Sequence, residues 1–158
     1  MFKLLLNSEK ETYRFGTFLA QKITSGDVIT LSGELGSGKT VLARGLIQAH
    51  IDTNEYIPSP TFNLVNIYET KMLTIWHFDL YRLKKPVDIE QLGLDEALAE
   101  GFALIEWPEK ALEYIPKHAL NIRINMHIDE DKRQIELIGN ALWVNKLKEL
   151  KKLFESTG

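Results

Sequence analysis

The sequence predicts an α/β fold in which a mixed β-sheet is covered by helices. A short β-branched run, a glycine-rich turn and a helical pattern follow one another between residues 27 and 49, so strand and helix alternate there. Two later pairs of strand-like segments are joined by short polar turns, which favour antiparallel hairpins. With 158 residues, of which 44% are hydrophobic and 26% charged, the chain is expected to form one globular domain over residues 1–158.

The first half of the chain is predicted to form two helices around a buried strand. Residues 8–11 (SEKE) have the spacing of a capping box, and helical periodicity then continues toward Gly26, which can close the helix. Residues 27–32 (DVITLS) suit a buried strand, and residues 40–49 combine good helix formers with a single glycine. A loop rich in Asp, Asn and Pro is expected over residues 50–60.

The second half is predicted to add two hairpins, one central strand and three helices. Strands are expected at residues 62–68, 73–78, 102–105, 120–128 and 134–138, and helices at residues 94–99, 108–114 and 142–154. The run FALI at residues 102–105 is continuously apolar, which is typical of a strand buried on both faces.

The composition excludes several classes of function. Lys and Arg number 19 against 22 Asp and Glu, and the resulting net charge of −3 argues against coating nucleic acid by bulk charge. The absence of cysteine excludes disulfides, thiolate zinc sites, iron–sulfur clusters and cysteine nucleophiles. The apolar runs fall far short of the ~20 residues of a membrane span. We therefore expect a cytoplasmic protein that makes no membrane contact.

Residues 33–40 (GELGSGKT) form the phosphate-binding P-loop motif G-x-x-x-x-G-K-T. Its glycines let successive N–H groups point into one concavity, and the helix starting near Lys39 adds its own free N–H groups. Lys39 can reach the β and γ phosphates, and the hydroxyl of Thr40 is placed to bind Mg²⁺. The predicted nucleotide-binding residues of this segment are Gly33, Leu35, Gly36, Ser37, Gly38, Lys39, Thr40 and Val41.

The alternative is an ordinary glycine-rich turn followed by a surface lysine. A chance match somewhere in the chain has a probability on the order of half a per cent at average residue frequencies. An apolar strand before the motif and a helix after it supply the context that the P-loop requires. The motif thus predicts a P-loop NTPase-like three-layer sandwich whose mixed sheet carries antiparallel hairpin insertions.

Two acidic residues stand where apolar strands end. Asp79 follows the strand at residues 73–78, and Glu106 follows the strand at residues 102–105. Parallel strands present their carboxyl ends at the edge where a P-loop binds its ligand, so either acid can serve the Mg²⁺ site. Glu106 fits better because its strand is more apolar, and the alternative for each is a helix cap or a surface residue. Thr61 can sense a γ-phosphate as switch loops do, or simply lie in a turn that enters a strand.

Four polar or charged side chains outside these motifs are further candidates for nucleotide contacts. Glu9 and Thr12, at the start of the first helix, are candidates for adenine or ribose contacts. Arg82 and Arg133 are candidates for phosphate contacts, although isolated arginines are more often solvated or paired at the surface.

Aromatic residues near the strand ends are also ambiguous. His77 is a candidate for a hydrogen bond to Asp79, with a structural role as the alternative. Trp76 and Trp107 can stack on a nucleotide or contact a partner, and core packing is the more common role of an indole.

Four segments together resemble the TsaE (YjeE) family of bacterial P-loop ATPases. The matching segments are residues 33–40 (GELGSGKT), 59–62 (SPTF), 77–83 (HFDLYRL) and 106–108 (EWP). The P-loop alone would indicate only a superfamily, whereas HFDLYRL and EWP make the resemblance specific. Members of this family support formation of threonylcarbamoyladenosine in tRNAs that read ANN codons. No signature is recognised beyond residue 110.

The resemblance implies weak ATP hydrolysis in a cycle that depends on partners. It implies Lys39 on the phosphates, Thr40 and Glu106 at Mg²⁺, Asp79 in a Walker B-like position, and Thr61 in a switch-like segment. It also implies assembly with the TsaB and TsaD proteins, of which TsaD performs the threonylcarbamoyl transfer, so that contact with tRNA is expected to be indirect.

Two other functions remain open at this point. A small P-loop metabolite kinase would grip two phosphorylated substrates with several arginines, and the chain has only five, without a cluster. A non-catalytic module would bind ATP and change the affinity for a partner without useful turnover.

Overall fold

Seven strands and four α-helices form within residues 1–51 and 53–157, which the computed structural model describes. The strands are β1 (Phe2–Leu6), β2 (Val28–Ser32), β3 (Val65–Glu69), β4 (Thr74–Asp79), β5 (Phe102–Glu106), β6 (Leu120–Met126) and β7 (Arg133–Ile138). The helices are α1 (Glu9–Leu19), α2 (Lys39–Gln48), α3 (Leu94–Glu100) and α4 (Ala141–Ser156). Among these helices none is both long and apolar enough to cross a bilayer.

The strands form one mixed sheet in the order β1-β7-β6-β2-β5-β4-β3. Its centre is parallel, because β2 pairs in parallel with both β5 and β6, and β4 pairs in parallel with β5. The hairpins β3–β4 and β6–β7 are antiparallel, and β1 adds an antiparallel edge to β7. The predicted α/β fold with a mixed sheet and two hairpins is therefore confirmed.

Each face of the sheet is covered by its own apolar core. Ile29 and Leu31 of β2 lie in a cluster with the buried residues of α1, α2 and α4. Val28, on the opposite face of the same strand, lies in a second cluster with Leu94 and Ala97 of α3. Alternate residues of a strand point to opposite faces, so this division creates the predicted three layers.

The first helix ends earlier than its sequence pattern predicts. Helix α1 stops at Leu19 rather than near Gly26, which has a φ of 93° in the turn that enters β2. The carboxylate of Asp27 accepts a hydrogen bond from the N–H of Thr24, and the N–H of Gly26 donates to the carbonyl of Gly101. Directly after Leu19 the N–H groups of Gln21 and Lys22 bond to carbonyls three residues back, and the bonds at residues 24–27 then form the turn that enters β2.

Two other elements also differ from the prediction. Strand β1 is not predicted, although Leu4 and Leu6 are buried at alternating positions. The helix expected at residues 108–114 is two 3-10 segments, Pro108–Lys110 and Leu112–Tyr114, separated by Ala111 with φ −151° and ψ 42°.

The strand expected from residue 62 begins only at Val65. The N–H of Leu64 donates to the carbonyl of Pro60 at 2.7 Å, and Leu64 itself has a φ of 67°, so a turn precedes the strand. The described residues of the predicted loop, 50, 51 and 53–60, contain no helix or strand.

Replacing Phe154 with alanine should lower the free energy of unfolding by about 3 kcal/mol, since a buried phenylalanine leaves a large cavity. The ring meets Phe15 and Phe18 edge to face at 5.4 and 5.5 Å and secures α4 to α1. Leu142→Ala is the matched control, because this leucine of the same helix is 74% exposed. Urea denaturation measures both changes, and equal losses for the two variants would contradict this account of α4.

Candidate functional site

The glycine-rich segment between β2 and α2 folds into a backbone concavity. Gly33, Gly36 and Gly38 have φ values of 149°, 81° and 108°, which are strained for residues with a side chain. At Gly33 a Cβ would lie only 2.5 Å from the carbonyl oxygen of Ile124. Gly38 caps α2 without a side-chain hydrogen bond, so the first N–H groups of the helix remain available to an anion.

Lys39 is held inside this loop and is only 5% exposed. Its Nζ donates to the carbonyl oxygens of Gly33 at 2.7 Å and Glu34 at 2.9 Å, and lies 4.1 Å from the centre of the Trp107 ring. Burial lowers the pKa of this ammonium, and the carboxylates of Glu106, Glu109 and Asp79 oppose that shift. The loop carbonyls and the Trp107 ring thus hold the positive charge of Lys39 at the P-loop.

Glu106 connects the start of α2 to the centre of the sheet. Its Oε1 accepts a hydrogen bond from the hydroxyl of Thr40 at 3.0 Å, and its Oε2 lies 2.6 Å from Nε2 of His77. Glu106 is 1% exposed, so it is not a surface residue. The hydrogen bond considered between His77 and Asp79 is not formed, because the imidazole contacts Glu106 instead.

Asp79 forms hydrogen bonds with the segment that precedes β3. Its Oδ2 accepts from the hydroxyls of Ser59 at 3.2 Å and Thr61 at 3.3 Å, and its Oδ1 accepts from the N–H of Tyr81 at 3.0 Å. Asp79 and Glu106 are register partners on the parallel strands β4 and β5. The two carboxylates therefore lie side by side at the edge of the sheet that holds the P-loop.

A cleft of about 440 Å³ opens over these groups. Nine of its lining residues belong to the predicted site, namely Leu35, Gly36, Gly38, Lys39, Thr40, Val41, Thr61, Asp79 and Glu106. Tyr81, Arg82 and Trp107 complete the wall. Trp107 contacts Tyr81 at 4.8 Å between ring centres, whereas Trp76 lies away from the cleft in the apolar cluster of α3.

A second cleft of about 270 Å³ adjoins the other side of the P-loop. The predicted residues Glu9, Thr12 and Ser37 line it together with Arg133. A larger cleft of about 690 Å³ lies between residues 50–59 and β3, but no P-loop residue lines it, so its size does not make it the reactive site.

The two arginines considered for phosphate contacts have different surroundings. Arg82 lies over the ring of Phe62 at 4.6 Å and lines the 440 Å³ cleft. Arg133 donates from Nε to the carbonyl of Ser37 at 2.9 Å and also contacts the carbonyl of Gly36 at 3.5 Å. Arg133 therefore supports the P-loop from its outer side, a role that sequence reasoning missed because the residue lies 96 positions from Ser37.

The oxygen groups at the cleft fit a magnesium ion. Thr40, Asp79 and Glu106 offer a hydroxyl and two carboxylates, which are hard oxygen ligands. Within the described part of the chain no group of three or more His, Cys, Asp or Glu side chains could hold a metal by itself. Mg²⁺ is usually bound through one or two carboxylates together with substrate phosphates and waters, so this donor set suits a metal that arrives with a phosphate ligand.

Comparison with known proteins gives consistent similarities. The family model described as "Threonylcarbamoyl adenosine biosynthesis protein TsaE" matches residues 6–135. The tRNA threonylcarbamoyladenosine biosynthesis protein TsaE of Rickettsia felis is 44% identical over 142 residues, which are 87% of this chain and 80% of that protein. The protein of the same name from a Nostoc species is 36% identical, over 87% of this chain and 85% of its own length. The crystal structure of YdiB from Bacillus subtilis superposes with a TM-score of 0.76 at 27% identity, covering 99% and 95% of the two chains.

Proposed function

The chain belongs to the TsaE family, and from that membership we propose that it binds and slowly hydrolyses Mg-ATP to drive threonylcarbamoyladenosine formation in tRNA. One observation supports the chemistry above all others: the glycine concavity places Lys39 and Thr40 directly beside Glu106 and Asp79. Such a constellation of N–H donors, ammonium, hydroxyl and carboxylates suits the tail of a nucleoside triphosphate.

We assign ATP binding to groups that the fold already holds in position. The N–H groups from residue 36 to residue 41 and the ammonium of Lys39 would surround the phosphates, while Glu9 and Thr12 in the adjoining cleft would contact the nucleoside. Thr40, Glu106 and Asp79 would hold Mg²⁺. When bound, this metal would offset the negative charge that develops on the transferred phosphoryl group.

The distribution of arginines supports a slow intrinsic rate. Arg82 lines the 440 Å³ cleft, but its guanidinium lies over the ring of Phe62, and Arg133 donates to the carbonyls of the P-loop. Arg14 and Arg44 are engaged with Phe154 and Tyr56. A P-loop ATPase without an arginine finger turns over slowly until a partner supplies the missing contact. We propose TsaB and TsaD as these partners, with TsaD performing the transfer and this chain reaching tRNA only indirectly.

The segment at residues 59–61 supports a nucleotide-dependent switch. Its hydroxyls at Ser59 and Thr61 already bind Asp79, so a ligand that engages Asp79 competes directly with the contacts that hold this segment. Gain and loss of the terminal phosphate would then change the order of the segment and signal the nucleotide state to a partner.

Reconstitution tests the proposed function. The protein is combined with TsaB, TsaD, tRNA and threonylcarbamoyl-adenylate, and modified nucleoside is measured with and without ATP, together with free phosphate. We expect modification to require ATP and all the proteins, and phosphate release to be slow with this protein alone and faster with its partners. Labelled phosphate on an acceptor would show a kinase instead, and full modification with a variant that binds ATP without turnover would show a non-catalytic module.

Arg133→Gln should raise the dissociation constant for ATP about tenfold, which is ~1.4 kcal/mol, because the loop carbonyls lose a charged donor. Arg123→Gln is the matched control, since this exposed arginine of β6 pairs only loosely with Glu136 at 3.9 Å. Titration calorimetry measures both constants. Equal affinities for the two variants would show that Arg133 does not shape the P-loop.

A further inference from the structure

His77 lies on the core side of the strand ends that bear the two carboxylates. It belongs to β4, is fully buried, and its Nε2 lies 2.6 Å from Oε2 of Glu106 on the neighbouring strand. Residues two apart on a strand face the same side, so Ile75, His77 and Asp79 all project toward the layer of α1 and α2. The imidazole therefore reaches Glu106 from within the apolar core.

The carboxylate of Glu106 is shared between this imidazole and Thr40. One oxygen accepts from the Thr40 hydroxyl and the other from His77, so each oxygen of a nearly inaccessible carboxylate has a donor. Because a carboxylate only accepts hydrogen bonds, the contact assigns the imidazole proton to Nε2. Two donors at opposite oxygens fix both the position and the rotation of the carboxylate.

The second ring nitrogen of His77, Nδ1, indicates that apolar packing alone does not explain why a histidine occupies this position. Its Nδ1 is buried without a hydrogen-bond partner in the described part of the chain. A buried polar atom with an unmade hydrogen bond costs free energy, and an apolar side chain in the same place would avoid that cost. The contact that the imidazole does make, with Glu106, is the contact that distinguishes it from an apolar residue.

We propose that His77 is a positioning residue which holds Glu106 against the Thr40 hydroxyl and thereby sets the affinity of the site for Mg²⁺. Because the hydroxyl proton of Thr40 points to Glu106, the lone pairs of that hydroxyl are left facing the cleft. Outer partners of this kind change metal affinity about 10–100-fold when they are removed. The inference rests on the proposed function, since it concerns the metal of the same site.

Two amide variants separate the hydrogen bond from the shape of the ring. Glutamine at position 77 places an amide nitrogen close to where Nε2 lies, whereas asparagine places it close to Nδ1 and out of reach of Glu106. Thr30→Val is the control, because it removes a different side-chain hydrogen bond of the sheet, the part-buried 2.7 Å bond from the buried Thr30 to Asn121. The measured quantity is the ratio of the ATP dissociation constant in EDTA to that in excess Mg²⁺, obtained by calorimetry.

His77→Asn is expected to lower this ratio at least about threefold while the constant in EDTA stays within about twofold, since the outer partner acts on the metal. His77→Gln and Thr30→Val are expected to keep the wild-type ratio. A wild-type ratio in His77→Asn, or equal losses in the Asn and Gln variants, would overturn the positioning role. Should His77→Asn not fold, His77→Leu takes its place with the same expected result. A ratio of one in the wild-type protein would instead remove the proposed Mg²⁺ site itself, and the inference with it.

Discussion

Lys39→Ala is expected to lower kcat/KM for ATP at least about a hundredfold, because removal of one preorganised donor to developing negative charge typically costs ~10²–10³ in rate. The structure adds a reason for a large effect. The ammonium is buried and held by the carbonyls of Gly33 and Glu34, so the loop fixes its position before ATP binds. Phosphate release under saturating Mg²⁺ measures the loss of turnover, and calorimetry measures the loss of ATP binding.

Lys110→Ala provides the control for this change. Lys110 is an exposed lysine of the 3-10 segment that follows β5, and it lines none of the clefts around the P-loop described above. We expect its kinetic constants to match the parent protein, since isolated exposed charges contribute little. Turnover by Lys39→Ala at the rate of Lys110→Ala would contradict the assignment of Lys39 to the phosphates.

Local chemistry explains why the P-loop and its helix could be predicted from the sequence. The motif occupies one continuous segment, residues 33–40, so the conformation of this segment depends mainly on neighbouring residues. Asp79 and Glu106 could also be predicted as strand-end acids, because parallel strands expose their carboxyl ends at one edge. These predictions depended on a contiguous motif and on acids placed at the ends of regular strands.

Contacts between distant segments explain most of what the sequence could not predict. The choice of Glu106 rather than Asp79 as the partner of His77 depends on how β4 and β5 align, which no single segment encodes. Arg133 reaches the P-loop only because β7 packs beside β6 in the sheet order. The turn that enters β2 likewise includes the bond from Gly26 to Gly101, 75 residues away. Each of these features required the tertiary structure.

Glu106→Gln is expected to reduce kcat for ATP hydrolysis at least about a hundredfold, or ~2.7 kcal/mol in activation free energy, because a bound metal supplies several kcal/mol of charge stabilisation. Glutamine keeps the volume of the side chain but removes the negative charge and one of the two acceptors that Thr40 and His77 use. ATP binding in EDTA should change little, since Glu106 approaches the phosphates only through the metal in this proposal.

The neighbouring Glu109→Gln distinguishes a specific metal contact from a general effect of negative charge. Glu109 is exposed, and its carboxylate acts on the charge of Lys39 as that of Glu106 does, yet no hydrogen bond joins it to Thr40 in the described structure. If charge near Lys39 were all that mattered, both variants would lose activity together. If Glu106 holds Mg²⁺ with Thr40, only Glu106→Gln loses turnover, and its residual activity should respond to Mg²⁺ concentration far above the parent range. Hydrolysis by Glu106→Gln at the parent rate would show that the metal is held by Asp79 and Thr40 without it.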